Sequence, residues 1–536
     1  MMTAGGRGAG LKGSTTVFFA MTLMSLLSLF FTMAESVRIL ALNRSADRIT
    51  ETVTDSIYSR YLDVLWEDYG ILGVDVTGGS DGDGNAYLEN YGVATGDQNG
   101  NPLSSKGVNM LRLRTELCQI SNDKRLTDDN GAGFIRQAAE KAKTEIVTGF
   151  IDDRLEELKQ GEAALAKEGE ADEMITGGKK ALEDAKKESK KEEGSSVDEK
   201  KKQSEKEKKA AASKKAHEND LLDEEELKEA VGEEKTKSDY WKGTENPLDT
   251  AKAKDKGVLA LVIPSEDELS GGEMETDHLV SHRKLATGSG KESDQVSVPD
   301  KILFQQYVFE HFNNYVQGAT GDGLTYEAEY IICGKETDKA NLEGVLSRIL
   351  AFREVQNLLA LMKDKGKMAE AQAFATALAG ATLNPVIIKG VKLGIIGAWA
   401  FIESILDVRA LLAGDKIPIL KKESEWTSTL RNLPSCLDVH TKAKSCKDGM
   451  NYEMYLRLFL TLTSQKNLAY RSMDLIENQI CMKDGYDKIQ MDHLMYRCDL
   501  TYQYEASPLF FTFVPEIPIV VDDLYKYKRE RSMSYL

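Results

Sequence analysis

An uncharged run near the start of the chain constrains its fold more than any other feature. Residues Gly13–Ala34, GSTTVFFAMTLMSLLSLFFTMA, carry no charged side chain. As an α-helix this run is roughly 33 Å long, about the thickness of the hydrocarbon core of a bilayer. Arg7 and Lys12 precede it, which favours a cytoplasmic N-terminus over residues 1–13 and an extracytoplasmic location for everything after the span at 14–34. Thr32-Met33-Ala34 also fits a signal-peptide cleavage site, but the run is longer than a typical signal sequence, and we expect a retained single-pass anchor in the cell membrane.

The next segment, residues 35–70, is predicted to continue the same helix as an extracytoplasmic rod. No Gly or Pro occurs between Ser14 and Tyr69, and Gly70 is the expected C-terminal stop. Glu35 and Arg38 mark the predicted exit from the membrane. An apolar stripe with helical spacing follows, and it consists of Ala46, Ile49, Val53 and Ile57. On an isolated stalk this stripe would have no packing partner. Otherwise either the protein's own folded part or another subunit covers it. We predict that the stripe is an assembly face for another subunit.

Composition excludes some functions and leaves the redox state of the cysteines open. The chain has 536 residues and a formal net charge of −18, which argues against nucleic-acid binding. No CxxC pair occurs, so a zinc site or a thioredoxin-like site is not expected. An oxidising compartment permits disulfides without requiring them. The candidates that are close in sequence are Cys436 with Cys446 and Cys481 with Cys498.

The remaining chain divides by composition. We predict a loop-rich segment at 71–130, a charged helical spacer at 131–240, a strand-containing segment at 241–264, a linker at 265–298 and a C-terminal domain at 299–536. The apolar stripe that begins at Phe134 is expected to dock on the folded part. Expected strands are residues 257–264, 324–333, 501–505 and 511–514, and the helix after Pro385 is interpreted as a buried core helix. The predicted fold class is α+β, with several helices on a small sheet.

Motifs that could carry chemistry are weak. Asp81, Asp83 and Asn85 have the first spacings of a calcium loop, but Gly and Glu are missing at its most constrained positions. GSGKES at 288–293 lacks the glycine and hydroxyl of a phosphate loop, and His278 with His282 lacks a third ligand. We therefore predict no cofactor, no metal and no small-molecule substrate.

Two carboxylates on the predicted core helix deserve a separate interpretation. Glu403 and Asp407 are four residues apart and face the same way. Such a pair could act as general acid and base. More often it is held by arginines, and Arg353, Arg409 and Arg471 are available in the same domain. No nucleophile motif accompanies the pair, so ion pairing is the preferred interpretation.

Two parts of the chain resemble a known family. LKGSTTVFFAMTLMSLLSLFFTMAESVRILALNRSADR with WEDYGILGVD, and later YIICGKETDKANLEGVLSRILAFREVQNLLAL, GAWAFIESILDVRALLAGDKIPILKKESEW and NYEMYLRLFLTL, resemble an uncharacterised envelope family of Gram-positive bacteria. That family is similar at its N-terminus to the TadE/TadG pseudopilins of tight-adherence (Flp-type) pilus systems. The chain departs from the prepilin pattern at Phe18, where a glutamate is expected.

The resemblance implies a non-enzymatic, membrane-anchored component of a pilus or related assembly, whose partners are the membrane and other envelope subunits. Two other functions remain open on the sequence. One is a surface hydrolase acting on wall or peptide substrates, which would need a pocket lined by Glu403, Asp407 or His311. The other is a secreted adhesin or sensor released by signal peptidase.

Overall fold

The computed structural model describes residues 12–79, 84–100, 109–143, 173–174, 176–181, 183–184, 221–318, 323–379, 382, 384–513 and 524–536. The α-helices with defined bounds are α1 (Lys12–Tyr58), α2 (Asp63–Tyr69), α3 (Ala86–Gly100), α4 (Asp128–Lys143), α5 (Glu224–Val231), α6 (Pro247–Thr250), α7 (Val258–Val262), α8 (Val298–His311), α9 (Glu327–Cys333), α10 (Asp338–Lys363), α11 (Lys365–Ala379), α12 (Pro385–Leu412), α13 (Tyr452–Leu462) and α14 (Gln465–Cys481). The strands are β1 (Val74–Asp75), β2 (Arg114–Arg125), β3 (Leu494–Ala506) and β4 (Tyr525–Ser534).

These elements form an α+β structure, which confirms the predicted fold class. The chain separates into two compact units. Unit 1 consists of Met1–Thr144, Asp277–Phe304 and Ser472–Leu536, and unit 2 of Glu145–Thr276 and Gln305–Arg471. These units differ from the predicted C-terminal domain at 299–536, because the sheet of unit 1 joins strands from both ends of the chain.

The sheet of unit 1 is built on β3. β2 pairs with one edge of β3, and β4 and the short β1 pair with the other edge, all antiparallel. Burial alternates along β3, so that one face of the strand points into a core. The expected strand at 501–505 is therefore confirmed as part of a longer one, whereas β2 lies in the segment that was predicted to be loop-rich.

α3 is another element that was not predicted in that segment. Gly92, Gly96 and Gly100 lie in the segment that was predicted to be loop-rich, but they follow one another every fourth position on one buried face of the helix. A Cβ added at Gly96 would lie 2.3 Å from Oγ1 of Thr115 on β2, and one at Gly92 would lie 2.4 Å from Sγ of Cys118. Only glycine allows α3 to approach the sheet this closely.

The prediction of one rod through Tyr69 was wrong. α1 ends at Tyr58, the chain turns, and Tyr61 forms an isolated bridge with Val74 before α2 begins. The ring of Tyr58 lies 4.7 Å from that of Tyr535, so the end of α1 is fixed by a residue distant in sequence. α2 does end at Gly70 as predicted, and this glycine has the left-handed conformation of a helix C-cap with φ of 67°.

Other residues of unit 1 modify the predicted boundaries. Phe134, Ile135 and Ala138 on α4 are buried in unit 1, so the expected docking of this stripe is confirmed over its described part, and the spacer cannot begin at 131. Residues 511–513 form a 3-10 turn instead of a strand, because the chain there packs against α1. Val514 lies outside the described residues.

Unit 2 is organised around α12, which is buried over most of its length and packs against α10 and α11. This confirms the interpretation of α12 as a core helix. Of the predicted spacer, the described residues 176–181 belong to this unit, and the backbone of Gly178 lies directly against Gly394 of α12. Most of the remaining spacer lies outside the described residues.

Two segments of unit 2 that were predicted as strands are helices. Residues 258–262 form α7, since a short apolar run suits a buried helix as well as a buried strand. Residues 327–333 form α9, whose Glu327 and Glu329 carboxylates accept the backbone N–H groups of Asn313 and Tyr315. These tertiary hydrogen bonds, rather than the local apolar pattern, decide the conformation.

Candidate functional site

The two halves of α1 have opposite surroundings. Residues 15–34 are exposed or only half-buried, with Phe19 and Met21 about 70% exposed, whereas the C-terminal half is part of the core of unit 1. Two of the described helices, α1 and α12, are long and apolar enough to cross a membrane. The apolar window of α12 is 67% buried and that of α1 is 0% buried. α1 is therefore an apolar helix that could serve as a membrane anchor or a signal sequence.

Glu35 and Arg38 lie at the point where α1 enters unit 1, and both are almost fully buried. Nη1 of Arg38 lies 2.7 Å from Oε1 of Glu35. The remaining atoms of the pair bind backbone groups from two other segments of unit 1. We call this arrangement of the pair and its backbone partners the junction.

Each charge at the junction is matched by several hydrogen bonds. Arg38 donates to the carbonyl oxygens of Met110 and Leu111, both at 2.6 Å. Oε2 of Glu35 accepts the backbone N–H groups of Leu509 at 3.2 Å and Phe510 at 2.6 Å. Burying an ion pair is favourable only when its remaining donors and acceptors are satisfied in this way. The junction therefore fixes α1 to two loops of unit 1.

The predicted assembly face is not available to another subunit. Ala46, Val53 and Ile57 are 0% exposed and Ile49 is 5% exposed, and they share a core with the buried face of β3. Beside this stripe, Thr50 and Thr54 are hydrogen-bonded to the hydroxyl groups of Tyr504 and Tyr502 at 2.8 and 2.9 Å. The stripe is therefore covered by the protein's own sheet and not by another subunit.

In unit 2, Glu403 and Asp407 meet in a buried ionic cluster with Arg353 and Lys421. All four side chains are 0% exposed. Lys421 Nζ contacts Oε1 of Glu403 and lies 2.5 Å from Oδ1 of Asp407, while Arg353 Nη2 lies 2.9 Å from Oδ2 of Asp407. Glu403 also accepts the backbone N–H groups of Thr427 and Ser428.

The electrostatics of this cluster are those of a structural network. Burial alone would raise the pKa of Asp407, but the charges of Arg353 and Lys421 hold it below its ordinary value. Asp407 is thus an ionised carboxylate that is shielded from solvent, unlike a general acid or base that must reach a substrate. The preferred interpretation as ion pairing agrees with this geometry.

Of the three arginines considered as partners, only Arg353 binds the pair. Arg409 donates instead to backbone carbonyls of Leu261 and Cys436, and Arg471 donates to the carbonyls of Ile331 and Ile332 at the end of α9. Sequence reasoning missed Lys421. Charge balance could have indicated it, since two buried carboxylates need a second cation besides Arg353.

The structure gives the other weak motifs ordinary partners. The N–H groups of Gly288 and Ser289 donate to the carboxylates of Asp128 and Asp123, so this glycine-rich turn binds the protein's own acids where a phosphate loop would bind an anion. His282 contacts the hydroxyl of Ser281, and Asn85 accepts from Arg125. Asp81 and Asp83 lie outside the described residues. No group of three or more metal-ligating side chains occurs within the part of the chain that is described.

All six cysteines lie in the described residues, and all six are free thiols. The two candidate disulfides are therefore not formed. Burial raises the pKa of Cys436 and of Cys481 to about 11, and that of Cys498 to about 12. Cys446 is half-buried, and burial raises its pKa as well. A raised pKa makes each thiol a poorer nucleophile near neutral pH, because the thiolate is the reactive form.

No sequence motif marked a cleft of about 500 Å³ in unit 2. It lies between α9, α10, the end of α13 and the start of α14, and its polar lining includes Arg348, Ser464, Asn467 and Arg471. His311, the third residue considered for a hydrolase pocket, stacks on Tyr307 at 4.2 Å and is not among the residues that line this cleft.

A family model matches residues 235–506, slightly more than half of the chain, and is described as a family of unknown function, DUF5702. The chain belongs to the DUF5702 family. This confirms the expected membership of an uncharacterised family. No curated protein and no protein of solved structure matches the chain.

The DUF5702 match includes the ionic cluster and excludes the junction. It contains the four residues of the ionic cluster and ends at Ala506, the last residue of β3. The partners of β3 in the sheet, β1, β2 and β4, lie outside the match, as do α1 and the pair Glu35 and Arg38. The ionic cluster is thus part of the DUF5702 region, whereas all the residues of the junction, 35, 38, 110–111 and 509–510, lie outside it.

Proposed function

We propose that this DUF5702 protein is a non-enzymatic, membrane-anchored component of the cell envelope. In this proposal residues 14–34 of α1 form a single membrane span, residues 1–13 are cytoplasmic, and both folded units are extracytoplasmic. The protein acts through contacts with other envelope subunits, in a tight-adherence pilus or a related assembly or secretion system.

One observation carries the anchoring part of the proposal. A single helix, α1, is exposed and apolar over residues 15–34 and then becomes a buried core helix of unit 1. An exposed apolar surface of this size is unfavourable in water, and lipid is the environment in which it is stable. Because the helix continues into the core without interruption, membrane insertion would hold unit 1 at the bilayer surface.

The orientation and the assembly role rest on the sequence. Arg7 and Lys12 precede the apolar run, which favours a cytoplasmic N-terminus. The resemblance of the N-terminal residues to TadE/TadG pseudopilins favours assembly. Since the stripe from Ala46 to Ile57 is internal, contacts with other subunits must use other surfaces. A pilus ATPase and a prepilin peptidase encoded beside this chain would support the pilus part of the proposal.

Topology and anchoring are tested by labelling intact cells, with wall exclusion controlled, using a membrane-impermeant maleimide. Lys242, whose side chain is 78% exposed, is replaced by cysteine in one variant and Arg7 in another, and the parent chain gives the background from its native thiols. Lys242→Cys should be labelled before lysis and Arg7→Cys only after it. The opposite pattern would refute the orientation.

The control for anchoring is a variant with charges in the apolar run. Leu26→Glu with Leu29→Glu places two carboxylates in the middle of the span, where each charge disfavours insertion by several kcal/mol. The parent should stay in the membrane pellet through alkaline extraction, and the double variant should not. If the two chains fractionate alike, α1 is not the anchor.

A further inference from the structure

The outward side of α1 remains apolar beyond the point at which the helix joins unit 1. Val37 is 67% exposed and Leu40 is 66% exposed, and the next exposed charged residue is Arg44. From Gly13 to Ala41 the helix is about 43 Å long at 1.5 Å per residue. That length covers a hydrocarbon core of about 30 Å together with an interfacial layer.

The charged residues of this stretch and the hydroxyls nearest to them do not require water. Glu35 and Arg38 are its only charged residues, and both are satisfied at the junction inside unit 1. The exposed hydroxyls of Thr32 and Ser36 donate to the carbonyl oxygens four residues earlier, at 2.7 and 2.8 Å. A helix surface with internally satisfied polar groups is compatible with lipid contact. The hydrophobic surface of α1 therefore extends past Glu35.

Two loops of unit 1 contact α1 near Phe31 and Arg38. The ring of Phe510 stacks on Phe31 at a centroid distance of 6.3 Å, and Phe31 is itself within the apolar run. The loop that contains Met110 and Leu111 is held by Arg38, about two turns further along α1 than Phe31. Met110 is 56% exposed and Phe511 is half-buried. Both loops thus present apolar side chains beside a helix that is exposed and apolar.

We propose that residues 109–111 and 509–511 form a lipid-contacting rim, which lies in the outer interfacial layer of the bilayer. The inference rests on the proposed anchoring of α1. The occupant is lipid because the exposed apolar surface surrounds α1 over residues 17–33 and is continuous with Val37, Leu40 and the rim, instead of forming one narrow seam for a second helix. Arg44 and Arg112 are exposed next to this surface, where cations favour lipid phosphates.

This rim changes the meaning of the pair Glu35 and Arg38. Neither residue marks the exit from the membrane, since both point into unit 1 and are covered by its loops. The hydrophobic layer ends between Ala41 and Arg44, and unit 1 is seated in the membrane surface without an intervening stalk. Its position is then set by three contacts with lipid, namely α1 and the two loops.

The test uses the full chain in liposomes of phosphatidylcholine and phosphatidylglycerol. The photoreactive residue p-benzoylphenylalanine replaces Met110 or Phe511, with Leu29 within the run as the positive control. Trp66 is the negative control, because it is 45% exposed and lines a pocket together with Tyr535, which packs on Tyr58 at the far end of α1. Circular dichroism checks that each variant is folded, and mass spectrometry separates phospholipid adducts from cross-linked chains.

We expect phospholipid adducts at Met110 and Phe511 with yields like that at Leu29, and none above background at Trp66. Adducts at Leu29 without adducts at Met110 and Phe511 would overturn the rim and leave the anchor intact. Cross-links from Met110 or Phe511 to a second copy of the chain would also overturn it, since protein would then occupy the surface. Absence of adducts at Leu29 would refute the proposed anchoring itself.

Discussion

Replacing Lys421 with methionine removes the cation that lies between Glu403 and Asp407 in unit 2. Asp407 keeps Arg353 as its partner, but Glu403 keeps only the neutral donors of Thr427 and Ser428. The cluster changes from two cations and two carboxylates to a net negative charge in a site with 0% exposure. Removing one partner of a buried ion pair typically costs about 3–5 kcal/mol, and we expect a loss of this size in the free energy of unfolding.

The assay is denaturant unfolding of the full chain in detergent, followed by tryptophan fluorescence. Trp399 donates to Oγ of Ser428 at 2.9 Å, and the ring of Trp426 lies 5.6 Å from Nζ of Lys421, so both indoles report on the surroundings of the cluster. The matched control is Lys442→Met, because the pair of Lys442 with Asp415 is on the surface and half of the lysine side chain is exposed. Surface pairs contribute about 0–1 kcal/mol.

A second variant separates electrostatics from the loss of packing. Lys421→Met combined with Glu403→Gln removes the uncompensated charge while the glutamine can still accept the N–H groups of Thr427 and Ser428. If the buried charge causes the loss, the double variant should be more stable than Lys421→Met alone. The reasoning is refuted if Lys421→Met costs no more than Lys442→Met, or if Glu403→Gln gives no recovery.

Three further variants test other parts of the structure. Gly96→Leu should lower the unfolding free energy by about 1–3 kcal/mol, because its side chain would meet Thr115, while Gln98→Leu on the exposed face of α3 should have little effect in the same denaturant titration. Burial raises the pKa of Glu329 to about 7 from 4.5. Between these pH values the unfolded state binds fewer protons than the folded state, so the unfolding free energy should fall by about 3 kcal/mol as the pH rises. Unfolding at pH 5 and pH 7.5 should show this fall in the parent and a smaller one in Glu329→Gln, and an equal fall in both would contradict the prediction. Arg38→Met leaves the buried Glu35 carboxylate without its cation, and hydrogen exchange should become faster at the amides of Leu509 and Phe510, which donate to this carboxylate. Arg48→Met on the exposed side of α1 should leave both exchange rates unchanged.

Elements with strong local signals were predictable from the sequence. α13 begins after Asn451, whose side chain accepts the N–H of Met454, and α10 begins after Thr337, whose hydroxyl accepts the N–H of Ala340, so both helices have a local N-cap. The apolar character of α1 and the core position of α12 also followed from composition and length. In each case the residues within one turn or one helix contain the information.

Elements that depend on distant contacts were not predictable. Arg114 of β2 pairs with Glu505 of β3, almost 400 residues later in the chain. No local sequence pattern predicts a pairing partner at that distance. α1 ends at Tyr58 without a Gly or Pro because the chain there meets Tyr535 and Val74. Conversely, the glycines of α3 predicted a loop, although close packing against β2 is what requires them.

The junction also combines a local signal, which the sequence shows, with distant contacts, which it does not. Glu35 and Arg38 were identified from the sequence as the charged pair next to the apolar run, but the sequence did not indicate that both are buried. Their partners are backbone groups at 110–111 and 509–510, which only the tertiary structure brings to α1. A buried charge and an exposed charge have the same appearance in a sequence.

The central claim is that α1 is one retained helix, serving both as membrane anchor and as core helix of unit 1. Intact-mass analysis of the chain isolated from cells, with the membrane fraction and the medium measured separately, tests it most directly. We predict that the protein is in the membrane fraction and that its mass includes residues 14–34. A chain that begins at Glu35 and is recovered from the medium would contradict the claim, because signal peptidase would then have removed the anchor.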